Sequence, residues 1–451
     1  MTPTNTNARQ PTKQSSVRHT RAIQRDRRKR PLAAPPDAEI TARLTELIQP
    51  ATLVPQAGAA ALGLRDRKLP LTVMVAIVIT LIWRQIGAGG SEIARLLASE
   101  GLLWVGILVV SQQAISLRLR TFPAALFLML LHTLLPVLQV RWQARQRPLP
   151  PVLAWAQAHY TAVLVIDGCT LDALLRQVGL LREAPAQPLA GKLLALLDLG
   201  SLLPRQIWYE ADAATHDQRF WSRIGAAVPA GALLLFDLGF TNFTQFAQLT
   251  LAQVTWISRA KSNLSYQFSR DLYRNHRVRD MLVWIGSATE RQQVRLIQVY
   301  HLGIWRTYLT NECDPQRLPV AYVVALYLQR WRIEDAFHVV KRLLGLAFFW
   351  TGAQNGVELQ VWATWLVYGV LTDLTDAVAE ALNRPFADIS IEMVYRSLAY
   401  FGQAHRRGAA TDPVAYLASH AKLLGIVKRK RKGAHPSPLE LIPILTEANL
   451  S

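Results

Sequence analysis

Val163–Gly168 reads VLVIDG and Leu233–Phe240 reads LLLFDLGF. Each is a short, unbroken apolar run that meets an aspartate. A strand covered on both faces needs such a run, because neither face is left to water. Asp167 and Asp237 then stand at the edge of a sheet, where the ligands of open α/β sheets collect. A strand-end acid alone is an ordinary turn residue.

Around these two runs the texture alternates. Thr161–Ile166, Lys192–Leu197, Arg205–Tyr209 and Ala232–Phe236 read as strands, with a helix at Thr215–Ala227. Further strand-like runs follow at Val254–Arg259, Arg279–Ile285, Gln293–Tyr300 and Ile304–Leu309. LLALLDLG at Leu193–Gly200 nearly copies the second motif, so Asp198 competes with Asp237 by strand-end logic alone. Topology separates them. The run ending at Asp198 follows the first strand directly, and in an antiparallel meander it leaves at the opposite edge. The run before Asp237 follows a helix, so it can lie parallel to the first strand and end beside Asp167.

Beyond Pro319, which suits a helix start, Tyr327–Lys341 reads YLQRWRIEDAFHVVK. On a regular helix Tyr327, Arg330, Glu334 and Lys341 fall within an arc of about 60° and span about 21 Å. Leu326, Ile333, Phe337, Val340 and Leu344 form an apolar stripe beside them. An amphipathic helix with a solvated charged face would look much the same. With Glu334 added to Asp167 and Asp237, three separate elements supply three carboxylates, the minimum for two Mg²⁺ ions about 3.5–4 Å apart. Magnesium takes hard oxygen ligands, so Asp and Glu without His or Cys is the expected donor set. His338, one turn after Glu334, reads more simply as a surface histidine than as a DNA contact.

The spacing Tyr, two residues, Arg, three residues, Glu, six residues, Lys resembles that of the DDE-type bacterial insertion-sequence transposases of the cut-and-paste branch, and Tyr327, Arg330, Glu334 and Lys341 match it at every position. IDGCTL at Ile166–Leu171 resembles the first acid motif of that family, and DLGFTNFTQF at Asp237–Phe246 the second. WISRAKSN at Trp256–Asn263 resembles the start of the family's β-rich insertion, and YLTN at Tyr308–Asn311 the return to its core. Leu238 departs from the pattern, since many relatives carry Arg there. The resemblance implies an α/β fold: a ribonuclease-H-like catalytic core with a β-rich insertion, an all-helical N-terminal domain before it and C-terminal helices after it. It implies that Asp167, Asp237 and Glu334 are catalytic and bind two Mg²⁺ ions, with Mn²⁺ able to substitute. It also implies DNA contacts from Tyr327, Arg330 and Lys341, and a base-stacking role for which Trp305 is the nearest aromatic by spacing. The expected partners are double-stranded DNA, at element ends and target, and a second copy of the chain in the DNA complex.

Composition agrees with a polyanionic partner. The 451 residues carry 50 Lys and Arg against 31 Asp and Glu, a net charge of +19, with clusters at Arg18–Arg30 and Lys428–Lys432. Cys169 and Cys313 are the two cysteines, too few for a disulfide framework and without zinc spacing. The polar, basic N-terminus has no apolar leader, and a cytoplasmic, nucleoid-associated protein is expected. The apolar runs Leu69–Trp83, Leu102–Val110 and Phe122–Val140 read as buried helices rather than membrane spans; the last contains Pro123, His132 and Pro136 and is flanked by Arg118, Arg120 and Arg141.

The expected organisation is a disordered basic arm at 1–38 and a helical end-recognition domain at 39–147, within which 87–120 is compatible with a helix-turn-helix. A Pro-rich linker, Arg145–Val152, leads to the catalytic domain at 153–355, with its insertion at about 247–315. C-terminal helices and a basic tail occupy 356–451. A Mg²⁺-dependent nuclease of the same fold and a DNA-binding protein without catalysis are the alternatives.

Overall fold

The computed structural model describes residues 69–428 except 85, 87–89, 172–190, 262, 288–289, 302, 347–348 and 352. The basic arm at 1–38, residues 39–68 and the tail after Lys428 lie outside the described residues.

A mixed nine-stranded sheet organises the chain. Its strands are β1 (Val163–Thr170), β2 (Lys192–Asp198), β3 (Pro204–Glu210), β4 (Leu233–Phe236), β5 (Thr255–Arg259), β6 (Gln267–Arg274), β7 (Val278–Ile285), β8 (Gln292–His301) and β9 (Ile304–Thr310). They lie in the order β3-β2-β1-β4-β5-β9-β8-β7-β6. β1, β2 and β3 form an antiparallel meander, whereas β4 and β5 run parallel to β1. The strands expected in the insertion therefore extend the same sheet, because β9 pairs with β5 along Ile257–Arg259. Asn311 holds that seam: its amide accepts from Trp256 N at 2.9 Å and donates to the carbonyl of Val254 at 2.9 Å.

Strand alternation sorts the core onto two faces. Leu164, Ile166, Leu234 and Phe236 pack with Phe220, Trp221, Phe246 and Trp256, beneath helices α6 (Trp221–Ala227) and α7 (Phe243–Leu251). Val163, Val165, Leu233 and Leu235 face the other way. They join a larger core shared with α1 (Leu71–Trp83), α4 (Ala124–Ala144), α5 (Pro151–His159), α8 (Val320–Gln329) and α10 (Gln354–Ala381). The short helices α2 (Gly90–Ser99), α3 (Gln112–Thr121), α9 (Arg332–His338), α11 (Ile391–Arg406) and α12 (Pro413–Ser419) complete the described elements named here.

N-terminal and C-terminal helices thus share one core. Asn355 on α10 accepts from Ala124 N at 3.1 Å and donates to the carbonyl of Phe122 at 2.7 Å, capping the start of α4. The Pro-rich stretch after α4 is pinned as well. Arg145 reaches Asp373 at 2.7 Å and Asp376 at 3.0 Å, and Arg147 also pairs with Asp376. Among the described residues α4 is long and apolar enough to cross a membrane by length and composition, but Leu126, Phe127, Leu131 and Leu138 on it are buried in this core.

Two local expectations need correction. Leu102–Val110 is not helical. Gly101 and Leu103 take positive φ, and an isolated bridge joins Leu102 to Val105. A short apolar run does not itself choose between helix and extended chain. The connection from α2 to α3 is accordingly longer than the three or four residues, roughly, of a helix-turn-helix.

The second correction concerns Tyr327–Lys341, which is not one regular helix. α8 ends at Gln329, α9 begins at Arg332, and Val339–Leu343 is a π-turn. At the break the bonds tighten to three-residue spacing, Arg330 N to Tyr327 O, Ile333 N to Arg330 O and Glu334 N to Trp331 O. The apolar stripe survives, with Leu326, Ile333, Phe337, Val340 and Leu344 all buried.

Candidate active site on the sheet edge

The register of β1 against β4 decides the geometry. Val163 pairs with Leu233, Leu164 with Leu234 and Val165 with Leu235. Carried two residues further, the same register brings Asp167 level with Asp237, on the face of Val165 and Leu235. Asp167 lies within β1, which continues to Thr170, rather than just beyond its end. Asp237 follows β4 and caps the short 3₁₀ turn Leu238–Phe240, accepting from Gly239 N at 2.8 Å.

Asp167 is costly to ionise in this position. Burial, then the neighbouring Asp237 charge, pushes the Asp167 carboxyl up to about 6, against the opposing pull of Arg330. Arg330, itself 6% exposed, donates from Nη1 to Asp167 Oδ2 at 2.8 Å and from Nη2 to Glu334 Oε1 at 3.4 Å. One guanidinium therefore bridges two of the three acids. Among the described residues its Nε has no hydrogen-bond partner. Lys341 donates to the carbonyl of Thr170 at 3.1 Å, so the tight turn and the π-turn leave both cations against β1.

The remaining expected residues divide. Tyr327 is buried, its ring edge-on to Tyr308 at 5.4 Å, and burial lifts its phenol to about 12. His338 is exposed on α9. Trp305 lies beyond the last β5–β9 pair, with the Arg279 guanidinium 4.5 Å from its ring centre and Tyr300 beside it. Asp198 is at the other end of the sheet, opposite Leu164, where it accepts from Ser201 N at 2.8 Å and Ser201 Oγ at 2.9 Å. It is a turn cap there.

A hard divalent cation suits the Asp167–Asp237 pair: the donors are all oxygen, and positive charge would relieve the burial and the neighbouring charge that raise Asp167. Glu334, half-exposed on α9, stays with Arg330. Among the described residues no group of three or more His, Cys, Asp or Glu side chains stands gathered for a metal ion. Spacing does not single out Lys192 and Asp217, which border the site from the far side of β1. Their ion pair closes at 2.9 Å.

Three comparisons with known proteins show what the chain resembles. Residues 189–369 match the family described as the transposase DDE domain. That stretch is under half of the chain and begins after Asp167, so it is a likeness over β2 to α10. A protein of Sinorhizobium fredii provisionally named transposase y4zB is 28% identical over 184 residues, 38% of this chain and 49% of that one. The chain thus spans about half the length of that relative. A solved piggyBac transposase synaptic complex with hairpin DNA superposes with a TM-score of 0.40 at 10% identity, over 89% of this chain and 88% of that one.

Proposed function

We propose that the chain is a transposase that cuts DNA at the ends of a mobile element and joins the freed ends to target DNA. The observation that carries this reading is the parallel β1–β4 register, which brings Asp167 level with Asp237 while Arg330 reaches across to Asp167. The strand order β3-β2-β1-β4-β5, antiparallel then parallel, supports a ribonuclease-H-like core for residues 153–355. The segments before and after it, 39–147 and 356–451, are assigned to DNA-end recognition and to support of the core.

Asp167, Asp237 and Glu334 would hold Mg²⁺, two ions on this reading, or Mn²⁺ in its place. Bound there, such ions supply charge neutralisation for the attacking and leaving oxygens of a phosphodiester. The chain's own residues do the rest. Arg330 suits bidentate contact with a phosphate, and Lys341 offers a point charge further along β1. Tyr327 buttresses Arg330 from within the core, where its ring lies 5.9 Å from the guanidinium carbon. Trp305 would stack on an unpaired base once Arg279 moves from its face. A cytoplasmic, nucleoid-associated homodimer on double-stranded DNA, with no membrane partner, completes the proposal.

The test uses duplexes carrying the inverted repeats that flank the gene, with Mg²⁺ or with chelator, and a target plasmid. Metal-dependent cleavage followed by joining is expected. Cleavage without joining favours a nuclease of the same fold, and binding without cleavage favours a DNA-binding protein.

A further inference from the structure

Both acids are followed closely by a glycine, and one carboxylate touches both glycines. A Cβ at position 168 would lie 2.4 Å from Asp217 Oδ1 and 3.0 Å from Lys192 Cε. A Cβ at position 239 would lie 3.1 Å from Asp237 Oδ1 and 3.4 Å from Asp217 Oδ2. Asp217 begins the 3₁₀ turn Asp217–Phe220, far in sequence from β1. Its carboxylate is held by Lys192 Nζ at 2.9 Å, with the two side chains 22% and 13% exposed. Lys192 is the residue of β2 that pairs with Thr170, at the site end of β1. The next residue, Gln218, donates from Nε2 to the carbonyl of Thr241 at 2.9 Å, fastening the same turn to the loop after Asp237.

We propose that Asp217 is a positioning residue of this site: clamped by Lys192, its carboxylate is wedged between Gly168 and Gly239 and sets how far apart Asp167 and Asp237 stand. This rests on the cleavage-site reading above. The wedge explains the glycine at 168, since any side chain there would displace the Asp217 oxygen, whereas a Cβ at 239 would meet Asp217 Oδ2 at an ordinary 3.4 Å. It also gives Lys192 a task that leaves it off the DNA. A pair of carboxylates that must share cations tolerates little drift, because cation affinity follows the fit of its donors.

The experiment compares full-length wild type with Asp217→Ala, Asp217→Asn, Gly168→Ala and Asp167→Ala. For each, Mn²⁺ binding to the protein–duplex complex is titrated by electron paramagnetic resonance, alongside melting temperature, duplex affinity and single-turnover cleavage. Asp217→Ala should keep duplex affinity and need about 10–100-fold more Mn²⁺ for half-saturation, the range expected for a residue supporting metal ligands. Its cleavage should recover in part at high metal. Asp217→Asn keeps the shape without the ion pair and should fall between Ala and wild type. Gly168→Ala, which pushes Asp217 away without removing it, should repeat the Mn²⁺ shift and covers the case in which Asp217→Ala fails to fold. An unchanged Mn²⁺ half-saturation in these variants, beside an inactive Asp167→Ala, overturns the positioning role alone. Cleavage by Asp167→Ala, or no Mn²⁺ binding by wild type, overturns the site reading and the positioning role with it.

Discussion

Arg330 Nη1 donates to Asp167 Oδ2 at 2.8 Å, joining the break between α8 and α9 to β1. The bond falls where the helix departs from regularity, at the three-residue turns of Arg330–Glu334.

Arg330→Ala should therefore do two separable things. It removes the positive charge that opposes the upward shift of Asp167, so ionising that carboxyl becomes costlier. Because the folded protein then holds the Asp167 proton more tightly, the stability deficit relative to wild type should be larger at pH 8 than at pH 5. Thermal melts without metal across that range check the sign. Cleavage should fall by at least about 10²-fold, as when a transition-state donor is removed, while duplex affinity changes modestly.

Lys341→Ala breaks a contact with a backbone carbonyl at the end of β1 and nothing in the core. Melting temperature should barely move. Cleavage should drop much more than duplex binding, since a contact beside the scissile phosphate tightens in the transition state. Single-turnover rates set beside salt-dependent affinities test this, and normal cutting would reduce Lys341 to a solvated helix residue.

Asp198 and Asp237 end nearly identical sequence runs and should respond oppositely. Burial raises the Asp198 carboxyl despite its bonds to Ser201. A raised acid stabilises the fold below its ordinary pKa of about 3.9 and loses that contribution as pH climbs through the folded value. Asp198→Asn should flatten this fall in stability, measured by denaturant titration from pH 4 upward, and keep metal-dependent cleavage. Asp237→Asn should abolish cleavage.

The extension of the sheet holds a buried ion pair. Arg295 Nε and Nη2 bond Asp280 at 2.7 and 2.6 Å, and Nη1 donates to the carbonyl of Leu318 at 2.6 Å, just before α8. Asp280→Ala leaves the guanidinium without its anion and should cost about 3–5 kcal/mol. Replacing both residues by Leu and Met should cost less than the single change. Urea unfolding of wild type and the two variants distinguishes the outcomes.

Much of this was legible in residues. The apolar runs before Asp167 and Asp237, and the helix before the second, were enough to choose Asp237 over Asp198, because strand direction follows from connection type. The apolar stripe of Ile333, Phe337 and Val340 was legible for the same reason: burial leaves a periodic trace. The break at Arg330 left no trace, since Arg330 and Glu334 keep an ordinary helical spacing in the sequence. Asp217 was silent too. Its partner, Lys192, lies on a strand away from it in sequence, so no local pattern marks the pair. Leu102–Val110 misled because apolar content fixes neither backbone angle nor burial: Ile107 and Val109 stand 66% and 72% exposed.

Alanine substitution at Asp167, Asp237 and Glu334, one at a time, tests the central claim most directly. Each variant is assayed for Mg²⁺-dependent single-turnover cleavage of an end duplex and for binding to the same duplex. The account predicts that all three stop cutting while binding persists or tightens, because negative charge near the phosphates has been removed. Cleavage retained by any of the three would contradict it.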